Sequence, residues 1–198
     1  MTENDVFRLL LAASFLVMGP IGGYFRYQSN KSGESLDRRR EGWPMLIGLR
    51  LLGVLLLVGF LGYLARPDWF EPLRLPLPTS LRVAGVVIGA GAMVLFFATL
   101  RNLGRNLTDT VVTRREHTLV TTGPYRYVRH PFYVAYLLSI IGTALVAANG
   151  YFLILGLPVF VLLYLRTSQE EAELVNRFGD EYRQYMRRTG RFWPRLWK

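Results

Sequence analysis

The sequence predicts an all-α integral membrane protein with five transmembrane helices and a C-terminal amphipathic helix that is cytoplasmic or interfacial. The first observation is composition: 51% of the 198 residues are hydrophobic, and the mean hydropathy is +0.22. The second is that several apolar runs approach the ~20 residues that a helix needs to cross a bilayer. The third is that arginines cluster between these runs. A chain of this length has room for one membrane domain, residues 1–198.

The N-terminal part of this domain, residues 1–100, carries three predicted spans. Gly85 and Gly89 in the third span share one helix face, and small residues at this spacing predict close packing against another helix. Gly19 and Gly23 in the first span have the same spacing. The predicted spans cover about residues 6–24, 44–65 and 81–100.

The C-terminal part, residues 101–198, carries two shorter spans at about 132–148 and 151–165. Asn149-Gly150 between them is a tight-turn signal, so the two spans are predicted to form an antiparallel hairpin. Residues 168–188 then repeat apolar and aromatic side chains every three or four positions, which is typical of an amphipathic helix at a membrane surface. This stripe comprises Leu174, Phe178, Tyr182 and Tyr185.

The charge distribution predicts the orientation. The formal net charge is +10, and the basic residues concentrate in the loop after the first span, the loop before the fourth span and the tail. The positive-inside rule places these segments and the C-terminus in the cytoplasm and the N-terminus on the other side. Because no basic run lies outside these segments, nucleic acid is not a predicted partner.

Several classes of function are disfavoured by what the spans lack. No Asp, Glu, Lys or His lies in the middle of a predicted span, whereas proton pumps and ion-coupled transporters need such groups near the membrane midplane. The chain has no cysteine, and its two histidines, His117 and His130, are thirteen positions apart without a metal-binding motif. No metal site is therefore predicted.

Two polar clusters adjoin the predicted hairpin. The first is "REHTLVTTGPYRYVRHPFY", which leads into the fourth span and contains Arg129 and His130. The second lies at the exit of the fifth span and contains Arg166, Glu170 and Glu171. Because the hairpin turn is at the far end, the two clusters must lie side by side at the same level. This topology predicts a functional site at the cytoplasmic end of the hairpin.

Each residue of these clusters also has a purely structural interpretation. Pro131 suits the first turn of a helix, and tyrosines such as Tyr125 and Tyr133 suit an aromatic belt at the membrane surface. Ser168 and Glu171 fit the spacing of a capping box. The convergence of all these groups at one level favours a site over separate structural roles.

The motifs resemble a known family. "HTLVTTGPYRYVRHPFY", followed after one helical hairpin by "EEAELVNRFGDEYRQYMRR", is similar to the isoprenylcysteine carboxyl methyltransferases and, more widely, to the phospholipid N-methyltransferases. The resemblance covers residues 117–188 and implies a membrane methyltransferase that uses S-adenosyl-L-methionine and releases S-adenosyl-L-homocysteine. It implies a cofactor site formed by His117, Leu119, Val120, Gly123, Tyr125, Arg129, His130, Pro131, Tyr133, Glu170 and Glu171.

The chemistry of these residues suits that cofactor. Arg129 and His130 fit its carboxylate through charge-assisted hydrogen bonds, and Glu170 or Glu171 fits its amino group or ribose hydroxyls. Arg166 and Glu170 are the predicted catalytic residues, with Arg166 orienting an anionic acceptor. The acceptor is predicted to be lipophilic and to enter from the bilayer.

The sequence leaves the acceptor and two rival functions open. The acceptor is a carboxylate of a prenylcysteine-like or lipid molecule in one interpretation and a phospholipid amine in another. One rival function is a sterol or enone reductase that binds NADPH, although the compact polar set fits a smaller cofactor better. The other is a lipid-binding membrane protein with no enzymatic activity.

Overall fold

A computed structural model describes residues 1–30, 43–104 and 118–195 of the chain. These residues form helices and connecting turns and no β-sheet. Short 3₁₀ helices, Pro67–Leu73 and Gly123–Arg126, precede the third and fourth long helices. The α-helices are α1 Glu3–Asn30, α2 Trp43–Ala65, α3 Thr79–Leu103, α4 Pro131–Ala147, α5 Tyr151–Phe178 and α6 Asp180–Arg188.

Four of these helices, α1, α2, α3 and α5, are long and apolar enough to cross a membrane. Their outer faces expose large apolar side chains, such as Leu16 at 71% and Val87 at 67%. A soluble protein seldom exposes so much contiguous apolar surface, whereas a lipid-facing helix requires it. The chain is therefore a multi-pass membrane protein. The remaining predicted span corresponds to α4, which is apolar but only 17 residues long.

The predicted close packing in the third span is confirmed at Gly85, whereas a Cβ atom on Gly89 would meet nothing within 4 Å among the described residues. A Cβ atom on Gly85 would lie 2.6 Å from Leu145 Cβ, and one on Gly142 would lie 2.9 Å from the backbone nitrogen of Gly89. The small residues let α3 and α4 approach closely, as in other membrane helix pairs. By contrast, a Cβ atom on Gly19 or Gly23 of α1 would meet nothing within 4 Å among the described residues, so these glycines show no such packing.

The predicted hairpin is present, and its turn is firmly held. The Tyr136 hydroxyl on α4 donates to the Gly156 carbonyl on α5 at 3.3 Å. At the turn, the Asn149 amide donates to the Phe70 carbonyl at 2.8 Å, while its side-chain oxygen accepts from the Tyr151 N–H at 3.0 Å. The turn therefore docks on the segment between α2 and α3, which fixes the relative positions of α4 and α5.

The prediction of a separate helix over residues 168–188 is wrong at its start. α5 continues without a break past the end of the apolar run to Phe178, and Ser168 lies inside it. Ser168 therefore cannot cap a helix N-terminus, which excludes the capping-box interpretation of Glu171. The helix ends at Gly179, whose φ of 55° lies in the left-handed region that favours glycine. α6 follows directly.

Candidate active site at the open end of the hairpin

The open end of the α4–α5 hairpin brings the two polar clusters into contact, as predicted. Arg129, just before α4, lies with its Nε 2.8 Å from Oε1 of Glu171 on α5. Both side chains are buried, with exposed fractions of 9% and 4%. A buried ion pair at this distance is a charge-assisted hydrogen bond between groups that have lost most of their hydration. The hairpin therefore creates a desolvated, charged site.

Glu171 is the centre of this site and contacts three basic side chains. Besides Arg129, the His130 Nε2 lies 3.2 Å from its Oε1, and the Arg191 guanidinium bonds its Oε2. A buried carboxylate needs such partners to offset the cost of its desolvation. The side chain therefore ties α5 to the segment before α4 and to the C-terminal segment.

Glu170 joins a second set of partners on the neighbouring side. It accepts a 2.5 Å hydrogen bond from the Tyr133 hydroxyl, and the Arg166 Nε lies 3.0 Å from the same oxygen. The His130 Nδ1 is 3.5 Å from its other oxygen. His130 therefore lies between the two carboxylates, and its ring stacks on Tyr133 with centroids 5.5 Å apart and planes 4° apart.

The charges of this described cluster do not cancel. Three arginines contact the two glutamates, which leaves one more positive than negative formal charge among these five side chains. Arg129 and Arg166 are buried, whereas Arg191 keeps 34% of its side chain exposed, so the excess positive charge lies at the accessible edge of the cluster. The cluster therefore favours an anion at this position. Its charged members are Arg129, Arg166, Arg191, Glu170 and Glu171.

The C-terminal segment covers the site, and sequence reasoning missed it. We call residues 189–195 the clasp. The backbone N–H groups of Arg129 and His130 donate to the carbonyls of Gly190 and Arg191 at 2.8 and 3.1 Å. Arg129 Nη1 also donates to the carbonyls of Met186, at 3.2 Å, and Thr189. The signal in the sequence was the arginine-aromatic run "GRFW", immediately after the helix.

α6 packs across the site from the other side. Tyr182 of the predicted aromatic stripe is only 1% exposed, and the Tyr185 hydroxyl donates to the Tyr125 carbonyl at 2.6 Å. Burial raises the pKa of Tyr185, so the hydroxyl stays neutral and remains a hydrogen-bond donor. The stripe therefore faces the protein at these two residues, and α6 encloses the segment that leads into α4.

The structure describes only some of the predicted cofactor-site residues before α4. His117 lies outside the described residues, and Leu119 and Val120 are half-buried. Gly123 has a φ of 58°, and a Cβ atom there would lie 2.4 Å from Nδ2 of Asn102, at the end of α3. Gly123 therefore has a packing reason to be glycine that is independent of any ligand.

An open depression of about 690 Å³ adjoins the site and is lined mainly by the clasp. Its volume lies in the range of small-molecule binding sites. Arg129 connects it to the buried cluster, so the same side chain faces both the ion pairs and the accessible space. The depression is lined by Arg129, Met186, Thr189, Gly190, Trp193, Pro194 and Arg195.

Comparison with known proteins identifies related sequences. Residues 83–176 match the isoprenylcysteine carboxyl methyltransferase (ICMT) family. The chain is 38% identical over 89 residues to protein-S-isoprenylcysteine O-methyltransferase of Schizosaccharomyces pombe, covering 43% of this chain and 38% of that one. It is 39% identical over 84 residues to the cobalt-zinc-cadmium resistance protein CzcN of Cupriavidus metallidurans, covering 42% and 38%.

A solved structure shares the fold. The eukaryotic intramembrane Ras methyltransferase ICMT matches with a TM-score of 0.55 and 25% identity, over 73% of this chain and 51% of that one. The chain spans about two fifths of the length of the two curated relatives named above. The matched residues 83–176 include the first cluster and both glutamates, whereas α6 and the clasp follow the matched region.

Proposed function

We propose that this chain, whose residues 83–176 match the isoprenylcysteine carboxyl methyltransferase family, is an integral membrane methyltransferase that uses S-adenosyl-L-methionine. It acts on a lipophilic acceptor at the cytoplasmic face of the membrane. The observation that carries the proposal is the buried ion pair between Arg129 and Glu171, with His130 and Glu170 beside it.

The donor set fits this cofactor. S-adenosyl-L-methionine offers a carboxylate, an amino group and a methyl group carried on a positively charged sulfur. The excess positive charge of the cluster suits the carboxylate, with Arg129 as its first partner. Glutamate oxygens suit the amino group, and the faces of nearby tyrosines suit a cation. The residues proposed to hold it are Leu119, Val120, Gly123, Tyr125, Arg129, His130, Pro131, Tyr133, Glu170 and Glu171, together with His117.

The protein's own contribution to catalysis is positioning and exclusion of water. α6 and the clasp cover the cluster, and a covered, charged site strengthens electrostatic interactions with the bound reactants. Arg166, where the apolar part of α5 ends, orients the anionic acceptor. Glu170 lies one helical turn further on and holds the Arg166 guanidinium at 3.0 Å. We assign the catalytic roles to Arg166 and Glu170.

The contacts of Glu170 and Glu171 favour an acceptor with a carboxylate over an acceptor with an amine. An amine must lose a proton before it can accept a methyl group, whereas a carboxylate needs no general base. Glu170 accepts a hydrogen bond from the Tyr133 hydroxyl and lies beside Arg166, and Glu171 is engaged by Arg129 and Arg191, so both carboxylates already have cationic or hydrogen-bonding partners. The acceptor class is therefore a lipophilic acid, such as a prenylcysteine-like carboxylate, with phospholipid amines as the alternative.

The same proposal includes five membrane crossings, with α4 as the fifth. Seventeen helical residues extend for roughly 25 Å at 1.5 Å per residue, close to the hydrocarbon thickness of a bilayer. The α4–α5 turn contacts the segment before α3 at one end of the bundle, through Leu75 N–H and the Ala148 carbonyl at 2.8 Å. The site lies at the other end. We place the site and the C-terminus in the cytoplasm and the N-terminus outside.

Ligand binding and methyl transfer test the proposal. Calorimetry on the purified protein in lipid nanodiscs should show binding of S-adenosyl-L-homocysteine and none of NADPH. Labelled S-adenosyl-L-methionine should transfer its methyl group to prenylcysteine analogues or lipophilic acids in preference to phosphatidylethanolamine. Arg129→Ala should lose binding, whereas Arg183→Ala, an exposed arginine paired with Asp180 on α6, should retain it.

Two outcomes would contradict the proposal. Binding of NADPH without S-adenosyl-L-homocysteine would support the reductase. Absence of any adenosyl ligand from a folded sample would support a non-enzymatic lipid-binding protein.

A further inference from the structure

Phe192 of the clasp lies between His130 of the polar cluster and the aromatic side chains at the end of the apolar part of α5. Its ring centroid lies 5.7 Å from that of His130 on one side. On the other side it stacks on Tyr164 of α5, with centroids 5.5 Å apart and planes 24° apart, and meets Phe160 at 6.3 Å. Phe192 is therefore an aromatic side chain in contact with both the buried site and the outer surface of the apolar helix.

The α5 surface that Phe192 touches has the exposure expected of a lipid-facing surface. Tyr164 is 48% exposed, and its neighbours Val161 and Leu165 are 52% and 56% exposed. These side chains lie in the last two turns of the apolar run, just before the buried Arg166. An apolar molecule in the cytoplasmic leaflet would contact this surface first and would meet Phe192 before it reached His130.

Phe192 is held in place by its neighbour in the clasp, Arg191. The Arg191 side chain bonds Glu171, and its carbonyl accepts from the His130 N–H at 3.1 Å. The Phe192 side chain itself is held by ring contacts. These are weaker than buried ion pairs and depend less on the identity of the side chain. Its size can therefore change while the anchor of the clasp at Arg191 remains.

We propose that Phe192 determines which lipophilic acceptors reach the site from the bilayer. This inference rests on the proposed function and deepens it. The ligand class is a lipophilic carboxylate whose apolar chain stays against Tyr164 and Phe160 in the membrane. The carboxylate end of the acceptor has to pass the Phe192 ring to reach the site. The ring therefore discriminates against acceptors that are branched or wide next to the carboxylate.

The test compares Phe192→Ala, Phe192→Leu and Phe192→Trp with a matched control. Tyr127→Ala is the control because Tyr127 is an aromatic residue of the same cytoplasmic region that is 59% exposed. The acceptors share one apolar chain and increase in bulk next to the carboxylate. Phe192→Ala should raise kcat/KM for the bulkiest acceptor relative to the smallest by about 10-fold or more, in the range that apolar pocket contacts discriminate. Phe192→Trp should shift the ratio the other way.

A readout without catalysis separates this inference from the proposed function. A long-chain fatty acid with a photoactivatable diazirine near its carboxylate should label the Tyr164 region in the wild-type protein. In Phe192→Ala, and to a smaller degree in Phe192→Leu, the label should move to the segment around His130. Binding of S-adenosyl-L-homocysteine should change less than about 3-fold, which verifies that these variants are folded.

Two outcomes would overturn the inference. One is an equal loss of kcat/KM for all acceptors, so that their ratio is unchanged. The other is an unchanged labelling pattern in a folded Phe192→Ala protein. If the wild-type chain binds no S-adenosyl-L-homocysteine and transfers no methyl group, the proposed function fails, while the labelling still decides whether Phe192 separates the cluster from the bilayer.

Discussion

Arg129 and Glu171, 42 residues apart in the sequence, form a buried ion pair of 2.8 Å across the open end of the α4–α5 hairpin. The same glutamate contacts His130 and Arg191, so one carboxylate joins three separate segments of the chain. Any ligand that binds here must fit an existing network of charges. The predictions below test that network and the elements that hold it in place.

Glu171→Gln should weaken both the fold and the ligand site. The substitution keeps the shape of the side chain but leaves three basic groups without their common anion. Removal of one partner from a buried ion pair typically costs about 3–5 kcal/mol, so we expect a large drop in the thermal midpoint in detergent and loss of S-adenosyl-L-homocysteine binding. Glu181→Gln, an exposed residue in the first turn of α6, is the control. A Glu171→Gln protein as stable as wild type would contradict the central role of this carboxylate.

Tyr133→Phe should separate activity from folding. It removes the 2.5 Å hydrogen bond to Glu170 and retains the ring that stacks on His130. A hydrogen bond to a charged group contributes about 1.5–3 kcal/mol. Its loss should therefore lower kcat/KM for methyl transfer by roughly 10-fold or more, with only a modest change in stability. The measurement is steady-state kinetics beside thermal unfolding. Tyr127→Phe is the control and should behave as wild type. Equal kinetics in the two variants would show that the Tyr133 hydroxyl does not contribute to the site.

The hairpin could be predicted from the sequence because its signals are local. Two apolar runs flank Asn149-Gly150, and the helix period and turn chemistry of such a segment do not depend on distant residues. The contact between the two polar clusters then follows from geometry alone. This is why the proximity of Arg129 and Glu171 could be predicted without any contact information.

The continuation of α5 and the clasp could not be predicted in the same way. The change from apolar to charged residues at Arg166 indicates where a helix leaves the hydrocarbon, but a helix need not end there, and α5 continues to Phe178. The clasp depends on backbone hydrogen bonds to Arg129 and His130 and on an ion pair to Glu171. These are long-range contacts, and the sequence of residues 189–195 carries no periodicity that predicts them.

Gly123→Ala should destabilise the segment before α4 for two reasons. The backbone φ of 58° is strained for alanine, and the new Cβ atom would lie 2.4 Å from the Asn102 side chain. The two effects together should cost about 1–3 kcal/mol of the free energy of unfolding. Because the clash involves a side-chain amide, the double variant Gly123→Ala, Asn102→Ala should recover part of the loss. Recovery is measured by chemical or thermal unfolding, and a Gly123→Ala variant with wild-type stability would refute this packing role.

Arg82→Met should lower stability without affecting the site, because Arg82 organises the opposite end of the bundle. Its guanidinium is buried, donates twice to the Val146 carbonyl at 3.0 and 3.1 Å and binds the Asn4 side chain at 2.7 Å. It also lies 4.0 Å from the centre of the Phe7 ring. The start of α1, the start of α3 and the end of α4 therefore meet at one side chain. Methionine leaves the carbonyl of the buried Val146 without its donor, at a cost of about 1–3 kcal/mol. Asn4 is exposed, so water can replace its bond to Arg82.

The expected result for Arg82→Met is a clear drop in the thermal midpoint with unchanged affinity for S-adenosyl-L-homocysteine below the midpoint. The affinity should hold because the α4–α5 hairpin separates Arg82 from the site by the length of α4, and distant sites usually contribute additively. Arg74→Ala removes an exposed arginine paired with Glu71 near the same end and should leave the midpoint nearly unchanged. A fall in ligand affinity in Arg82→Met, measured by calorimetry on folded protein, would instead mean that the two ends of the hairpin are coupled through α4.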